Sequence, residues 1–392
     1  MADQRKVAQP VMRGGPVVVI GGGVVGVSIA YHLAERGYRD VTLVERRTLG
    51  SGTTAKGNGG VRQQFGTAIN IALSRRAVAY FEHFAERVGE PIAYRQHGYL
   101  FLLGDEAQLA AARTRVDLQR AAGVRVELLA REAITDVMPL VNPAGLVGAT
   151  YCPTDGSAVA ADVVRAFATQ ARARGARLLE HTPALAIDRD AHGAVAGVRT
   201  PAGRLEAEVV VDAAGPWAAE IAGLAGVALP IEPRRRQAFE IAAPADLTPD
   251  LPFTIDLGGA LYLQPRPGCA VVGGNDLQTP SGWDDAVDWS LVPGLQAALA
   301  RRFPALAGAA IQEGRAGLRD MTPDEHAIVG PVPTVPGLWI AAGFSGHGFM
   351  HAPVVGDLAS QWLLEGAAAL DLTPLRLERF AEGMATRESA VF

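Results

Sequence analysis

The stretch Val17–Glu45, reading VVVIGGGVVGVSIAYHLAERGYRDVTLVE, constrains the fold more than any other part of the chain. Val17–Ile20 is a short run of β-branched residues, the pattern of a strand buried in a parallel sheet. Gly21, Gly23 and Gly26 follow as G-x-G-x-x-G. Ile29, Ala30, Leu33 and Ala34 then recur at helical spacing, and Gly37 stands where a helix terminates. A second apolar strand, Val41–Val44, ends at Glu45, 24 positions after Gly21. Each part has a chemical reason. Gly21 permits a tight turn, Gly23 lets a pyrophosphate approach the backbone, and Gly26 lets helix and strand pack closely. The helix start, with Val24 and Val25, offers free N–H groups and a positive dipole end to that pyrophosphate. Glu45, with Arg46 beside it, is placed to take ribose hydroxyls. The alternative is a glycine-rich turn in some other βαβ unit.

Composition narrows the partners. The chain has 392 residues, is 49% hydrophobic and 20% charged, and carries a net charge of −5. That length suggests about two domains with sizeable cores. The charge balance gives no electrostatic case for nucleic acid, and no apolar run reaches membrane-spanning length. The opening MADQRKVAQPVMRGG lacks the apolar region of a signal peptide and reads as a disordered tail. Cys152 and Cys269 are the only cysteines, so neither a disulfide framework nor a metal cluster is expected. A cytoplasmic enzyme acting on a small molecule is the default expectation, with a homo-oligomer or a partner subunit left open. Lys6 and Lys56 are the only lysines. Basic chemistry therefore falls to arginines, which do not deprotonate.

Beyond Glu45, small residues dominate from Gly50 to Gly60, and Val61-Arg62-Gln63-Gln64-Phe65 follows. Such a loop can lie against a flat ligand and donate backbone N–H groups; otherwise it is a surface loop. Ala68–Val88 has the apolar spacing of one amphipathic helix. Tyr99–Leu103 and Val126–Leu129 read as strands, and Glu106–Ala122, Arg131–Val137 and Ala161–Arg174 as helices. Strands follow at Leu178–Leu179, Ala184–Asp188, Val195–Thr200 and Leu205–Val211, the last running into DAAGPW, Asp212 to Trp217. A strand that ends in small residues before a helix suggests backbone passing close to a ligand. Gln237–Ile241, Phe253–Asp256, Ala260–Gln264 and Ala270–Val272 would form an antiparallel sheet. Leu291–Phe303 is a helix. The strand Leu338–Ala342 leads through GFSGHGFM to a final helix from near Pro353, a residue suited to a first helical turn.

From about Val17 to Leu364 the sequence resembles the flavin-dependent amine and amino-acid oxidoreductases of the D-amino-acid oxidase/sarcosine oxidase superfamily. The carriers are GGGVVG with Glu45, GGVRQQF, DAAGPW, GLRDMTPDEH and AGFSGHGF. GGVRQQF is especially similar to the β subunits of sarcosine oxidase and of dye-linked proline dehydrogenase, and to a mitochondrial respiratory-complex assembly flavoprotein. The resemblance implies one FAD and an α/β fold of two discontinuous domains. A Rossmann-type FAD-binding domain would come from segments 14–82, 146–222 and 318–380. An antiparallel-sheet substrate domain would come from 83–145 and 223–317. Gly21, Gly23, Val24, Val25, Gly26, Glu45 and Arg46 would hold the ADP half. Ser51, Thr54, Gly59, Gly60 and Val61 would follow the ribityl chain and the ring, and Ala184, Gly215 and Trp217 complete the set from loop and strand ends. Gly343, Gly346, His347, Gly348 and Phe349 would meet the pyrimidine side. There the last helix aims its N-terminus at the negative charge that reduction brings.

On the substrate side the resemblance points to Arg319, whose planar fork suits a carboxylate; an ion pair with Asp320 or Asp324 is the alternative. Arg62, with Gln64 beside it, is a second candidate, or a loop salt bridge. Tyr262 and Gln264 alternate on one strand and either face the substrate or form core and rim. His347 lies near the flavin or braces the glycine-rich turn. Three departures from the family pattern matter. Gly317 stands at the position of the covalent-flavin cysteine and no histidine lies between Gly50 and Gly60, so non-covalent FAD is expected. Val272 stands where an oxygen-activating lysine would be; a fixed positive charge stabilises superoxide, so its loss tilts the expectation from oxidase to dehydrogenase. Met350 replaces a basic residue that helps hold the carboxylate. The expected reaction takes a small amine or amino acid to an imine by hydride transfer from carbon to flavin. The competing class is a non-catalytic flavoprotein or a subunit of a larger complex. Arg234-Arg235-Arg236 reads as a solvated strand end, against a partner-facing patch.

Overall fold

The computed structural model describes residues 12, 14–244 and 246–390; most of the tail expected to be disordered lies outside them. Val17–Ile20 sits inside a six-stranded sheet. It pairs parallel with Val41–Val44 on one side and with Val209–Asp212 on the other. Arg177–Leu179 and Leu338–Ala342 extend the parallel set, and Ile328–Pro331 closes one edge antiparallel. Every residue of the three central strands is buried, which is why they read as unbroken apolar runs. The helix Val24–Glu35 connects the first strand to the second. Its start is packed tightly enough that a β-carbon on Gly26 would lie 1.9 Å from the Gly21 carbonyl oxygen. Further along, it packs against the last helix, Gly348–Glu365. A β-carbon on Gly356 of that helix would lie 2.2 Å from Ser28 Oγ.

The second layer is an eight-stranded sheet. Its order is Ile311–Met321, Glu232–Ala242, Cys269–Gly273, Leu261–Arg266, Phe253–Asp256, Tyr99–Leu103, Gly148–Cys152 and Glu127–Ala130. The four strands expected to form an antiparallel sheet pair antiparallel, and one parallel pair makes the whole sheet mixed. Phe253–Asp256 and Tyr99–Leu103 run parallel, because they come from distant parts of the chain and no hairpin joins them. Glu232–Ala242 and Ile311–Met321 pair over nearly their whole length. They carry the charged side chains that face the first layer.

Several boundaries differ from the sequence reading, each for a packing reason. The helix expected over Ala68–Val88 breaks at His83 (φ −110°, ψ 23°) into Ala68–Glu82 and Phe84–Val88. Phe81 and Phe84 on either side of the break are both buried, so it re-aims the second piece without exposing its aromatic side. The strand expected over Leu205–Val211 is two strands. Gly203–Glu206 joins a three-stranded antiparallel sheet, and Val209–Asp212 enters the six-stranded one. The last helix begins at Gly348, more than a turn ahead of Pro353, so the proline lies inside it. The boundary expected at 146 precedes Gly148–Cys152, which pairs with Tyr99–Leu103 in the eight-stranded sheet. Ile311–Met321 likewise carries that sheet past the boundary expected after 317. Among the described residues no helix is long and apolar enough to cross a membrane.

The Gly26 contact gives a direct test. Gly26→Ala should cost about 1–3 kcal/mol of stability by overpacking the turn against the first helix, read by denaturant unfolding. A midpoint equal to that of the parent chain would mean that helix and turn do not meet as described.

Candidate cofactor and substrate site

The carboxyl ends of the parallel strands open into a cavity of about 460 Å³, the place where open α/β sheets bind ligands. Gly21, Gly23, Val24, Val25, Glu45 and Arg46 line it. Gly21 has φ +111°, and a β-carbon there would meet the Ala213 carbonyl oxygen at 2.5 Å; glycine alone fits. The Glu45 carboxylate accepts the N–H groups of Gly22 (2.7 Å) and Arg47 (2.8 Å). It thereby fixes the turn while each oxygen keeps a further acceptor site. Thr54 Oγ1 accepts the Val24 N–H at 3.2 Å, and the Arg46 guanidinium lies 3.9 Å from the centre of the Trp217 ring. Gly215 has φ +57°, and nothing lies within 4 Å of where its β-carbon would be. Bare backbone beside a cavity, a helix N-terminus and an acid at the end of the second strand together fit an extended dinucleotide.

Of the other residues expected to hold the cofactor, Gly59, Gly60, Ala184, Trp217, Gly346, His347, Gly348 and Phe349 line the same cavity. Gly26, Ser51, Val61 and Gly343 stand behind the lining and shape it. Ser51 Oγ donates to the Thr48 carbonyl at 2.7 Å, and Val61 is buried. Gly343, at φ +76°, donates its N–H to Asp320 Oδ2 at 2.8 Å.

Arg62, Tyr262, Arg319 and His347 also line this cavity. Arg62 is tightly held. Its Nη1 donates to the Gln64 carbonyl and its Nη2 to the Ala390 carbonyl, both at 2.5 Å, and Nη2 lies 3.3 Å from His347 Nε2. Burial lowers the Arg62 pKa to about 10, so it stays a cation at neutral pH. Burial, with Arg62, His351 and Arg319 nearby, holds the His347 pKa well below its ordinary value. His347 is therefore a neutral imidazole with an acceptor nitrogen.

The two acids weighed as partners for Arg319 have other work. Asp320 Oδ2 accepts the N–H groups of Gly343 (2.8 Å) and Phe344 (3.0 Å), and Asp324 is gripped by Arg379 at 2.7 and 2.9 Å. Arg319 lies flush against the turn before the last helix, since a β-carbon on Gly346 would be 2.8 Å from its Nε. Tyr262 lies on the cavity wall with its hydroxyl 3.5 Å from the Gln237 carbonyl. Gln264 lies off the lining and donates to the Asn58 carbonyl at 3.0 Å. Met350 lines the cavity, whereas Val272 is fully buried inside the sheet. At Gly317 a β-carbon would come within 2.6 Å of Lys56 Cβ, which leaves no room for a cysteine.

Three features went unseen in the sequence. The first is Arg236, read there as part of a solvated strand end. The strand Glu232–Ala242 is longer than the apolar run within it, and side chains alternate along it. Arg235 turns to Asp284 (2.6 Å) and Asp288 (3.5 Å), while Arg236 lines the cavity. The second is Glu388, buried near the carboxyl end of the described chain. It accepts from Gly66 N–H (2.7 Å), Thr67 Oγ1 (2.8 Å), Asn70 Nδ2 (3.0 Å) and Ala390 N–H (3.0 Å), and so anchors the segment whose carbonyl holds Arg62. The third is Asp155, which accepts the Gln63 N–H at 2.8 Å and Gln64 Nε2 at 3.2 Å and braces the same loop. Alternation carries a signal for Arg236. Glu388 and Asp155 lie hundreds and tens of positions from their partners, with no pattern to link them.

Comparison with known proteins agrees with this geometry. The family described as FAD dependent oxidoreductase (DAO) matches residues 16–362. The glycine oxidase of Geobacillus kaustophilus is 30% identical over 93% of this chain and 96% of its own. The 4-methylaminobutanoate oxidase (formaldehyde-forming) of Paenarthrobacter nicotinovorans is 27% identical over 93% of this chain, but the match spans 45% of its length. Among solved structures, L-proline dehydrogenase from P. horikoshii superimposes with a TM-score of 0.88 and 32% identity, covering 94% of this chain and 98% of that one.

Asp155 gives the site a pH signature. Burial raises its pKa from 3.8 to about 6. The folded state therefore favours the protonated acid, and the stability this brings is full below pH 4 and lost as pH rises through 6. Relative to Asp155→Asn, the parent chain should lose about 2–3 kcal/mol between pH 4 and 6.5, measured by urea unfolding across that range. The same slope in the variant would remove Asp155 as its source.

Proposed function

The chain belongs to the family of FAD-dependent oxidoreductases, and from that premise we propose that it oxidises a small amino acid or secondary amine to the imine. The observation that carries this reading is the cavity in which Arg62 and Arg319 stand beside a neutral His347. Guanidinium groups held against fixed backbone suit a carboxylate, which they bind through two oxygens at once. Anchored there, a substrate has its C–H bond fixed in one direction, and such orientation supplies much of the rate. FAD, when bound, accepts the hydride. His347, held neutral beside Arg62, is too weak a base to keep the proton of an ammonium group, so the amine enters already deprotonated. The relatives' names support the class, since glycine, proline and 4-methylaminobutanoate all join an amine to a carboxylate.

Finer assignments follow from the same premises. Crowding at Gly317 supports non-covalent FAD. Burial of Val272 away from the cavity supports a dehydrogenase that passes electrons to an acceptor other than dioxygen, because the cation that would favour superoxide is missing there. The six-stranded sheet with its helices would be the FAD-binding domain, and the eight-stranded sheet the roof over the substrate. An intracellular, cytoplasmic setting fits the two unpaired cysteines.

Anaerobic titration of the FAD-loaded protein with glycine, sarcosine, proline and other D- and L-amino acids tests the reading. One of them should bleach the flavin, and admitted air should restore the colour only slowly. Arg319→Ala should raise the half-saturating concentration at least tenfold while FAD stays bound. Unchanged half-saturation would remove Arg319 from substrate binding, and a flavin that no amine bleaches would overturn the proposed activity.

A further inference from the structure

One cation of the cavity is not accounted for by a single substrate carboxylate. Arg236 Nη1 donates to the carbonyls of Arg235 (2.9 Å) and Asp276 (3.2 Å). Its Nε is buried with no acceptor among the described residues. Neither Nε nor Nη2 forms a hydrogen bond there, and no carboxylate lies within salt-bridge distance of the group. The unengaged edge, Nε with Nη2, is the side of the fork that grips both oxygens of a carboxylate.

Its surroundings point the same way. Glu232–Ala242 and Ile311–Met321 pair with Arg234 opposite Arg319 and Arg236 opposite Gly317. Arg236 and Arg319 are therefore diagonal neighbours on one face of the sheet, with β-carbons about 7–8 Å apart. Gly317, directly opposite Arg236, carries no side chain, and Arg234, directly opposite Arg319, shares the same face. Asp276, whose charge acts on Arg236, accepts the Gln237 N–H with Oδ2 at 2.7 Å. Burial and the Arg319 charge lower the Arg236 pKa to about 10 against the pull of Asp276, and Asp276 acts on Arg319 as well, so one carboxylate stands against two partly buried cations. An excess of buried positive charge is costly unless an anion pairs with it.

We propose that Arg236 binds a second carboxylate of the substrate, so that the preferred substrate is a dicarboxylic amine with one carboxylate on Arg319 and the other on Arg236. The two carboxylates must be only a few atoms apart to span diagonal neighbours, and the amine lies between or beside them. The assignment rests on the amine-oxidation reading for its chemistry, but its geometry can be tested without turnover.

The probes are oxydiacetate, a dicarboxylate with an ether in place of the amine, and methoxyacetate, its one-carboxylate counterpart. Binding to the FAD-loaded protein is read by titration calorimetry and by the flavin absorbance. Oxydiacetate should bind at least tenfold tighter than methoxyacetate. Arg236→Met should cut that advantage below twofold while leaving methoxyacetate unchanged, and Arg236→Lys should keep part of it. Equal affinity in the parent chain, no binding of either probe, or an advantage that survives in Arg236→Met overturns the assignment. Flavin bleaching by sarcosine without an oxydiacetate preference would keep the amine reading and overturn Arg236. An Arg236-dependent preference with no amine able to bleach the flavin would do the reverse.

Discussion

The carboxylate of Asp320 is the joint on which the site depends. Burial pushes its pKa up, and the N–H groups of Phe344 and Gly343 pull against that rise. Through them, and through the Ser345 N–H on its own carbonyl at 3.0 Å, the last residues of Ile311–Met321 are tied to the turn that starts the last helix. That turn is unusual backbone. Gly343 and Gly346 have φ of +76° and +97°, and Ser345, which is not glycine, has φ +53°. A non-glycine residue in that region costs about 1–3 kcal/mol. The turn persists because Asp320 and the Ser345 Oγ to Thr322 N–H contact (3.2 Å) over-determine it. One carboxylate thus fixes Arg319, on its own strand, against the N-terminal end of the last helix. It is also where the two sheets meet.

The same logic explains why Arg62 is held by carbonyls. A carbonyl oxygen orients a guanidinium without cancelling its charge. Gln64 O and Ala390 O do this at 2.5 Å, and the Phe65 ring, 4.0 Å from Arg62, adds a cation–π contact that also leaves the charge intact. Full ion pairs are kept elsewhere. Arg379 with Asp324 and Arg302 with Asp256 are buried and charge-matched, and they serve packing. The chain thus clamps Arg302 and Arg379 with acids and orients Arg62 through backbone carbonyls and an aromatic face.

That separation marks what the sequence made legible. The opening βαβ unit could be read almost residue by residue, because each glycine answers a local steric demand and each strand is buried on both faces. The glycines beyond it came from motif resemblance, and Gly59, Gly60, Gly215, Gly346 and Gly348 line the cavity. What stayed hidden depends on distance along the chain. Nothing local says that Glu388 will cap Gly66 and Thr67, or that Phe253–Asp256 will run parallel to Tyr99–Leu103. The Arg234–Arg236 run misled for a different reason. Three adjacent arginines look like one solvated cluster, but on a strand they point alternately to opposite faces. The helix break at His83 was hidden because the apolar spacing continues through it.

A chain with net charge −5 that gathers Arg46, Arg47, Lys56, Arg62, Arg236 and Arg319 around one cavity does so at a cost. Like charges repel, and burial lowers the pKa of Arg62, Arg236 and Arg319 alike. The protein opposes this with few acids. Glu45, Glu220 and Asp320 line the cavity; Glu45 accepts the Gly22 and Arg47 N–H groups and Asp320 those of Gly343 and Phe344. Cations thus outnumber acids on the cavity wall, and such an imbalance favours an anionic ligand over a neutral one of the same size.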